Sequence, residues 1–452
     1  MDKKRDSFSG KLGFIFAAAG SAVGLGNLWR FPYLAAKYGG GIFILVYLIL
    51  ATTFGFALMI TEIALGRKTR LSAGSAFGKL DKRFDFIRIL GSIGAFIITP
   101  YYCVIGGWVI KYLISFVTGQ VSQAAGDNYF TGFITESVEP IVWFAVFLLL
   151  TAAVVFIGVQ KGIEKASTIL MPILIILIVC ISIFCATRPG ALAGVKYYLL
   201  PDIKHFSATT VLAAMGQLFY SMSLAMGIMI TYGSYMKKED DLRDSVRKIE
   251  IFDTVVALLA GLMIVPSVFA FSGGSKEALS KGPSLMFVTM PKVFNSMKIG
   301  SLIGAGFFIL VLFAALTSAI SLLETNVSII CDKLHWSRKK STVVATLYCL
   351  IVGGLISLGY GPLSFIKIIG MNLLDFFDFI SNSVLMPIVA MLTCIFIGYI
   401  VKPKTIIDEV ELGGKTFKEK KFYVVMLKYV APVCLLLILL FAVSEALGLI
   451  KV

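Results

Sequence analysis

Charge is scarce in this chain. Asp, Glu, Lys and Arg make up only 15% of its 452 residues. A soluble protein of this length needs two or three domains with polar surfaces, and there are too few charged groups to coat them. Histidine is scarcer still. His205 lies beside an apolar run and His335 in a basic loop, a pairing that argues against a histidine-based metal centre. Cys103, Cys180, Cys185, Cys331, Cys349, Cys394 and Cys434 lie in or at the ends of apolar runs without metal-ligand spacing. They read as small buried hydrophobes. No Gly-x-x-x-x-Gly-Lys loop occurs, which disfavours ATP as a driving force. No nucleophile–base pair stands in the apolar runs, so an embedded enzyme is also disfavoured. The first eleven residues are too polar for a signal peptide, and the apolar run that follows is too long to be a signal's core.

Hydrophobic residues fill the space that charge leaves. They form 58% of the chain, and the mean hydropathy is +0.91. These values define a multi-span, all-α integral membrane protein, because helices satisfy their own backbone hydrogen bonds in lipid. We read eleven spans, at 12–37, 39–66, 88–118, 140–158, 165–187, 207–236, 247–272, 300–334, 341–359, 370–401 and 422–449. Several exceed the ~20 residues a crossing needs, so tilt or breaks are expected. Lys and Arg concentrate in alternate connections, on the side that holds the N-terminus. This predicts a cytoplasmic N-terminus and, with an odd span count, an external C-terminus. The same distribution accounts for most of the +15 net charge and disfavours nucleic acid as a partner. The connection 273–299, with Gly273-Gly274, Pro283 and Pro291, reads as an external cap, and 402–421 as a polar cytoplasmic loop.

Two spans are poor material for continuous helix. Span 1 contains Ala19-Gly20-Ser21-Ala22-Val23-Gly24-Leu25-Gly26-Asn27. Span 6 contains Gly216-Gln217-Leu218-Phe219-Tyr220-Ser221-Met222-Ser223-Leu224-Ala225-Met226-Gly227. Each interior glycine costs about 1 kcal/mol relative to alanine. One such span would suggest close helix packing. Two of them, five apart, suggest a single domain of two inverted halves, about 12–187 and 207–401, each opening on a broken helix, with 422–449 as an extra span. Half-helix ends at mid-membrane can hold an anion by their amides and a cation by freed carbonyls.

Gly20 to Asn27, Trp29-Arg30-Phe31-Pro32 and Gly39-Gly40-Gly41 resemble the opening of the neurotransmitter:sodium symporter family. The likeness continues through Glu62, Tyr101-Tyr102, Gly216-Gln217 with Ser221 and Ser223, Leu316-Thr317-Ser318 and Asp378. It covers essentially the whole chain and is similar to the eleven-span bacterial amino-acid branch. The resemblance implies a LeuT-like fold in a bacterial cytoplasmic membrane, sodium-coupled uptake of an amino acid by alternating access, and two Na+ ions.

By that resemblance the substrate carboxylate meets the amides around Leu25 and Gly26 and the hydroxyl of Tyr102. Its ammonium meets carbonyls near Ala22 and Tyr220, with Ser223. Its side chain enters a pocket of Val23, Gly24, Ile98, Tyr220, Ser223, Ala225, Met226 and Leu322. No charged residue projects there, so a neutral, mainly hydrophobic amino acid is expected; a small neutral one is the alternative. Tyr220 stands where phenylalanine is usual, and Ala225-Met226-Gly227 replaces a glycine-first triplet. These departures act oppositely on substrate size.

The first sodium site implied is the carbonyl of Ala22, the amide oxygen of Asn27, Ser221, Asp253 and the substrate carboxylate. The second is the carbonyls of Gly20, Val23 and Ala314 with the hydroxyls of Thr317 and Ser318. Such hard oxygens suit an alkali cation. Many animal relatives hold chloride at residues matching Tyr47, Gln217 and Ser221. Here Asp253 supplies a fixed negative charge, so no chloride requirement is expected. Asp253 either ligates sodium or compensates charge, with Ala257 as the alternative position one turn on. Glu62 braces the broken backbones, and Glu324 does similar internal work. Arg30 and Asp378 match the family's external gate pair. Arg5 and Asp332 match the cytoplasmic pair, supported by Phe8, Ser234 and Tyr235, with Phe8 in place of the usual tryptophan. A proton-coupled permease and a non-transporting amino-acid sensor remain the rival readings; the sequence leaves the oligomeric state open.

Overall fold

The computed structural model describes residues 6–273 and 284–446. We number its principal helices α1 Lys11–Ala22, α2 Gly26–Lys37, α3 Gly41–Thr69, α4 Ile87–Val117, α5 Glu139–Ile157, α6 Val159–Ala186, α7 Ala208–Ser221, α8 Ile228–Gly233, α9 Leu242–Ser272, α10 Gly300–Leu334, α11 Arg338–Leu358, α12 Leu373–Ile400, α13 Lys404–Val410 and α14 Lys420–Ser444. Polar side chains start several of them. Ser207, Asp241 and Asn372 each accept the amide three residues on, at 3.1, 2.9 and 2.9 Å, which satisfies donors a helix start leaves orphaned.

Among the described residues nine helices are long and apolar enough to cross a membrane, and the bent pair α1–α2 brings the number to ten. Eleven were expected. The difference is the segment 207–236, which is split into α7 and α8, each too short alone. Large aliphatic side chains on α5, α6, α11 and α14, such as Leu149, Ile176, Ile351 and Leu440, face outward. A bilayer, not water, suits that surface. α1 lies inside, against α9 and α10, and α2 against α9, with nearly every residue from Phe14 to Trp29 buried, while α7 packs on α3 and α14 and α8 on α3 and α10.

The described part of the connection 273–299 is helical at Leu285–Thr289 and Met290–Asn295. It seats Phe287 against Trp108, Tyr112, Phe130 and Phe308. Its Gly274 and Pro283 lie outside the described residues, as do Arg5 and 447–449. The segment 402–421 is more than a polar loop. Its α13 is fastened by the fully buried Arg67, whose Nε donates to Glu409 Oε1 at 2.8 Å and whose Nη1 donates to the Asp240 carbonyl at 2.9 Å. A buried guanidinium demands such partners.

Candidate functional site

The chain breaks twice at the centre of the molecule. At the first break α1 stops at Ala22, Val23 turns extended (φ −72°, ψ 97°), and α2 leaves at 51° to α1. Small residues make the approach possible. A Cβ on Gly24 would lie 2.7 Å from Ser318 Oγ and 2.9 Å from the Tyr102 hydroxyl, and one on Gly26 would lie 2.4 Å from the Tyr220 ring. At the second break, between Ser221 and Ile228, Ser223, Ala225 and Gly227 hold φ of 52°, 60° and 78°. Two of these three are not glycine, a strained arrangement that surrounding contacts must maintain. Glu62 supplies one such contact by accepting the Ala225 amide at 2.7 Å. Its bracing of span 6 is therefore direct, while no described bond joins it to span 1.

Between the breaks is a narrow cavity with about 340 Å³ of empty space, its open mouth included. Of the residues assigned to the substrate by resemblance, Ala22, Gly24, Leu25, Gly26, Ile98, Tyr102, Tyr220, Ser223, Met226 and Leu322 line it. Val23, Ser221 and Ala225 are close in sequence but do not line it. The first two turn toward oxygen clusters described below, and the Ala225 amide is turned to Glu62. Ser21 and Ile228 line it and were missed, although Ser21 sits within the glycine-rich motif. The amide of Leu25 donates to the Tyr102 hydroxyl at 3.3 Å, and Ser223 donates to the Ser21 carbonyl at 2.9 Å. Gln217 donates to the Gly26 carbonyl at 3.0 Å. These bonds tie the two breaks to one another and to α4.

Two oxygen clusters flank the cavity. In the first, Asp253 is wholly buried and receives Asn27 Nδ2 at 2.7 Å, Ser221 at 2.9 and 3.1 Å and Tyr47 at 3.2 Å. Asn27 departs from expectation in one respect. Its amide oxygen accepts the Gly24 amide at 3.0 Å, and its nitrogen faces the carboxylate, which attracts a donor. Ala257 is also buried, but it brings no polar group. In the second cluster Ser318 Oγ lies 3.4, 3.0 and 3.3 Å from the carbonyls of Gly20, Ser21 and Val23. Thr317 points back along α10, donating to the carbonyls of Phe313 and Ala314 at 3.0 and 3.1 Å. The oxygens of both clusters are hard donors on helices α1, α2, α3, α7, α9 and α10 and, for Val23, in the first break.

The residues that the resemblance assigns to gates are arranged less simply. Arg30 and Asp378 make no ion pair within 4.0 Å. The Arg30 guanidinium instead sits 5.3 Å from the centre of the Tyr220 ring, while Asp378 accepts Asn382 Nδ2 at 2.6 Å. A cation over an aromatic face is an alternative to a carboxylate partner. On the other side Asp332 accepts the Ser72 amide at 2.8 Å, and its expected partner Arg5 lies outside the described residues. Phe8 is fully buried, packs edge-on against Tyr232 and Tyr235, and donates its amide to the Tyr235 carbonyl at 3.1 Å. Glu324 meets Tyr235 at 2.6 Å and Arg338 at 3.0 Å. Arg338 was missed, since in sequence it is one of a basic group at a helix start.

This arrangement is shared with known proteins. The family model of the sodium:neurotransmitter symporter family matches residues 5–139 and 131–449. The sodium-dependent transporter YhdH of Bacillus subtilis (strain 168) is 35% identical over 447 residues, covering 97% of this chain and 98% of the relative. A sodium-dependent transporter of Haemophilus influenzae is 32% identical over 460 residues, covering 98% and 99%. The crystal structure of MhsT in complex with L-phenylalanine superposes with a TM-score of 0.88 at 38% identity, covering 97% of this chain and 100% of that one. The fold is therefore LeuT-like and multi-pass, and this chain is a transporter, not an enzyme, that belongs to the sodium:neurotransmitter symporter family.

Proposed function

We propose that the chain carries a neutral, mainly hydrophobic amino acid into the cell with sodium, by alternating access. The observation that carries this reading is the cavity between both helix breaks, lined by Leu25 and Gly26 on one side and by the hydroxyls of Tyr102 and Ser223 and main-chain carbonyls on the other. The amides of Leu25 and Gly26 begin a helix, where the dipole favours a carboxylate. The carbonyls that end α1 and α7 suit an ammonium. Ile98, Met226, Ile228 and Leu322 offer an apolar side-chain pocket with no charged partner. The solved relative that binds L-phenylalanine supports an apolar substrate.

Two sodium ions travel with it. The first sits by Asn27, Ser221 and Asp253 and shares the substrate carboxylate, and the second sits by Gly20, Val23, Ala314, Thr317 and Ser318. Asp253 supplies the charge that makes chloride unnecessary. Sodium sharing a ligand with the substrate makes each raise the other's affinity equally. Arg30, Tyr220 and Asp378 close the outer side, and Arg5, Phe8 and Asp332 the inner side. The Lys/Arg asymmetry supports a cytoplasmic N-terminus and an external C-terminus in a bacterial inner membrane, with inverted halves about 12–187 and 207–401.

The test is purified protein in sealed vesicles, an imposed sodium gradient and a panel of labelled amino acids. Accumulation of a neutral apolar amino acid above equilibrium, dependent on the gradient and unchanged without chloride, is expected. Binding without accumulation or counterflow would mark a sensor and refute transport.

A further inference from the structure

Two connections far from the cavity grip the joints that follow the broken helices. At one end of the molecule α2 meets α3 through Tyr38-Gly39-Gly40, where the two glycines hold φ of 97° and 58°. The connection from α6 to α7 lies directly on this turn. A Cβ on Gly40 would stand 2.0 Å from the Tyr197 carbonyl oxygen, and one on Gly41 2.4 Å from the Leu200 carbonyl carbon. Gly40 and Pro201 form an antiparallel bridge, and the Tyr197 hydroxyl donates to the Ala36 carbonyl at 2.6 Å. The helix Ala191–Leu199 anchors this connection on α9. Tyr198 donates there to the Leu258 carbonyl at 2.9 Å, and Tyr197 stacks on Phe269.

At the opposite end α8 meets α9 through 234–241, and the connection from α12 to α14 lies on that joint. Arg67 of α3 stands between the two. Its Nε donates to Glu409 Oε1 at 2.8 Å, its Nη2 to the Glu409 carbonyl and its Nη1 to the Asp240 carbonyl at 2.9 Å. Lys415 donates to the Glu239 carbonyl at 2.5 Å, and Glu419 accepts Arg243 Nε of α9 at 2.7 Å. In the halves proposed above, each grip joins the exit of one half to the joint behind that half's own broken helix. Their chemistry differs. At the first, backbones touch because glycine leaves no side chain between them. At the second, a forked guanidinium serves three acceptors, and withdrawing them would strand a buried charge.

We propose that these two connections are paired clamps, with Arg67 the positioning residue of the second. They hold the α2–α3 and α8–α9 joints closed, so that bending during transport is confined to the two mid-membrane breaks. This inference rests on the alternating-access reading above.

The test is distance measurement between paired spin labels in the full chain in lipid, its native cysteines replaced, in sodium and in potassium. Pairs Leu12–Lys37 and Ala208–Lys238 span the breaks, and pairs Lys37–Leu192 and Lys238–Lys418 span the clamped joints; all six positions are exposed. Exchange of sodium for potassium is expected to shift the break pairs and leave the joint pairs unmoved. A joint pair that shifts with sodium overturns the clamps. No shift in any pair overturns the alternating-access reading, and the inference with it. In Arg67→Gln the Lys238–Lys418 distance should begin to respond to sodium, and Arg67→Lys should suppress part of that response. Lys415→Met removes a single bond from an accessible side chain and should give the same response, smaller. Absence of a response in both Arg67→Gln and Lys415→Met overturns the second clamp, and Lys415→Met alone decides it where Arg67→Gln does not fold. Broadening of every pair alike in Arg67→Gln, with sodium and without, would assign Arg67 a purely structural role and overturn it as well.

Discussion

The break between α1 and α2 bends the chain by 51° and needs no left-handed residue, whereas the break between α7 and α8 is longer and holds Ser223, Ala225 and Gly227 at positive φ. The first is permitted by missing side chains. Gly24 and Gly26 admit Ser318, Tyr102 and Tyr220 to within contact of the backbone. The second is imposed by neighbours. Glu62 holds the Ala225 amide, and Ser223 is tied to the Ser21 carbonyl. One break therefore depends on space and the other on bonds, and substitutions should separate them.

The largest effect is expected at the first break. Gly26→Ala places a methyl 2.4 Å from the Tyr220 ring, so either the ring or the backbone must move. Sodium-driven uptake should fall at least about a hundredfold, a scale typical of small displacements in a positioned site, while the protein still folds. Uptake near wild type would show that the close approach is incidental. Asp253→Asn comes next. It removes the buried carboxylate on which Asn27, Ser221 and Tyr47 converge, and should abolish the sodium dependence of uptake in chloride-free buffer. An unaltered sodium response would remove Asp253 from the site.

At the second break the effects should be energetic. Glu62→Ala leaves the Ala225 amide buried without its acceptor, a loss of about 1–3 kcal/mol, which thermal unfolding can read. Glu62→Gln keeps an acceptor oxygen and should lose less. The smallest change is Ala225→Gly. Glycine accepts a φ of 60° without strain, so the variant should match wild type or gain about 1 kcal/mol in stability. A marked loss would mean that the methyl group, not the backbone, matters there.

The same contrast explains what the sequence disclosed. Glycine spacing in span 1 announces a break because glycine is the cheap residue for close approach, and Gly24 and Gly26 are used for that purpose. The strained backbones of Ser223 and Ala225 were invisible, since neither residue advertises positive φ. Asp253 stands in an apolar run where a carboxylate needs partners, and the family resemblance supplied Asn27 and Ser221 beside it, but the turn of the Asn27 amide toward Gly24 was not visible. Charge in loops was the least readable feature. Arg338 resembled its neighbours Lys339 and Lys340, and Arg67 looked like a cytoplasmic positive charge, until Glu324 and Glu409 were found beside them. Partners far apart in sequence are set by packing, which a single chain does not spell out.

The central claim is that both interruptions build one shared site for an amino acid and sodium. Its most direct measurement is equilibrium binding to the purified chain, titrating the transported amino acid at several sodium concentrations and sodium at several amino-acid concentrations. The account predicts that sodium tightens amino-acid binding by the same factor as the amino acid tightens sodium binding, and that Asp253→Asn abolishes both factors together. Amino-acid affinity that does not change with sodium would contradict it.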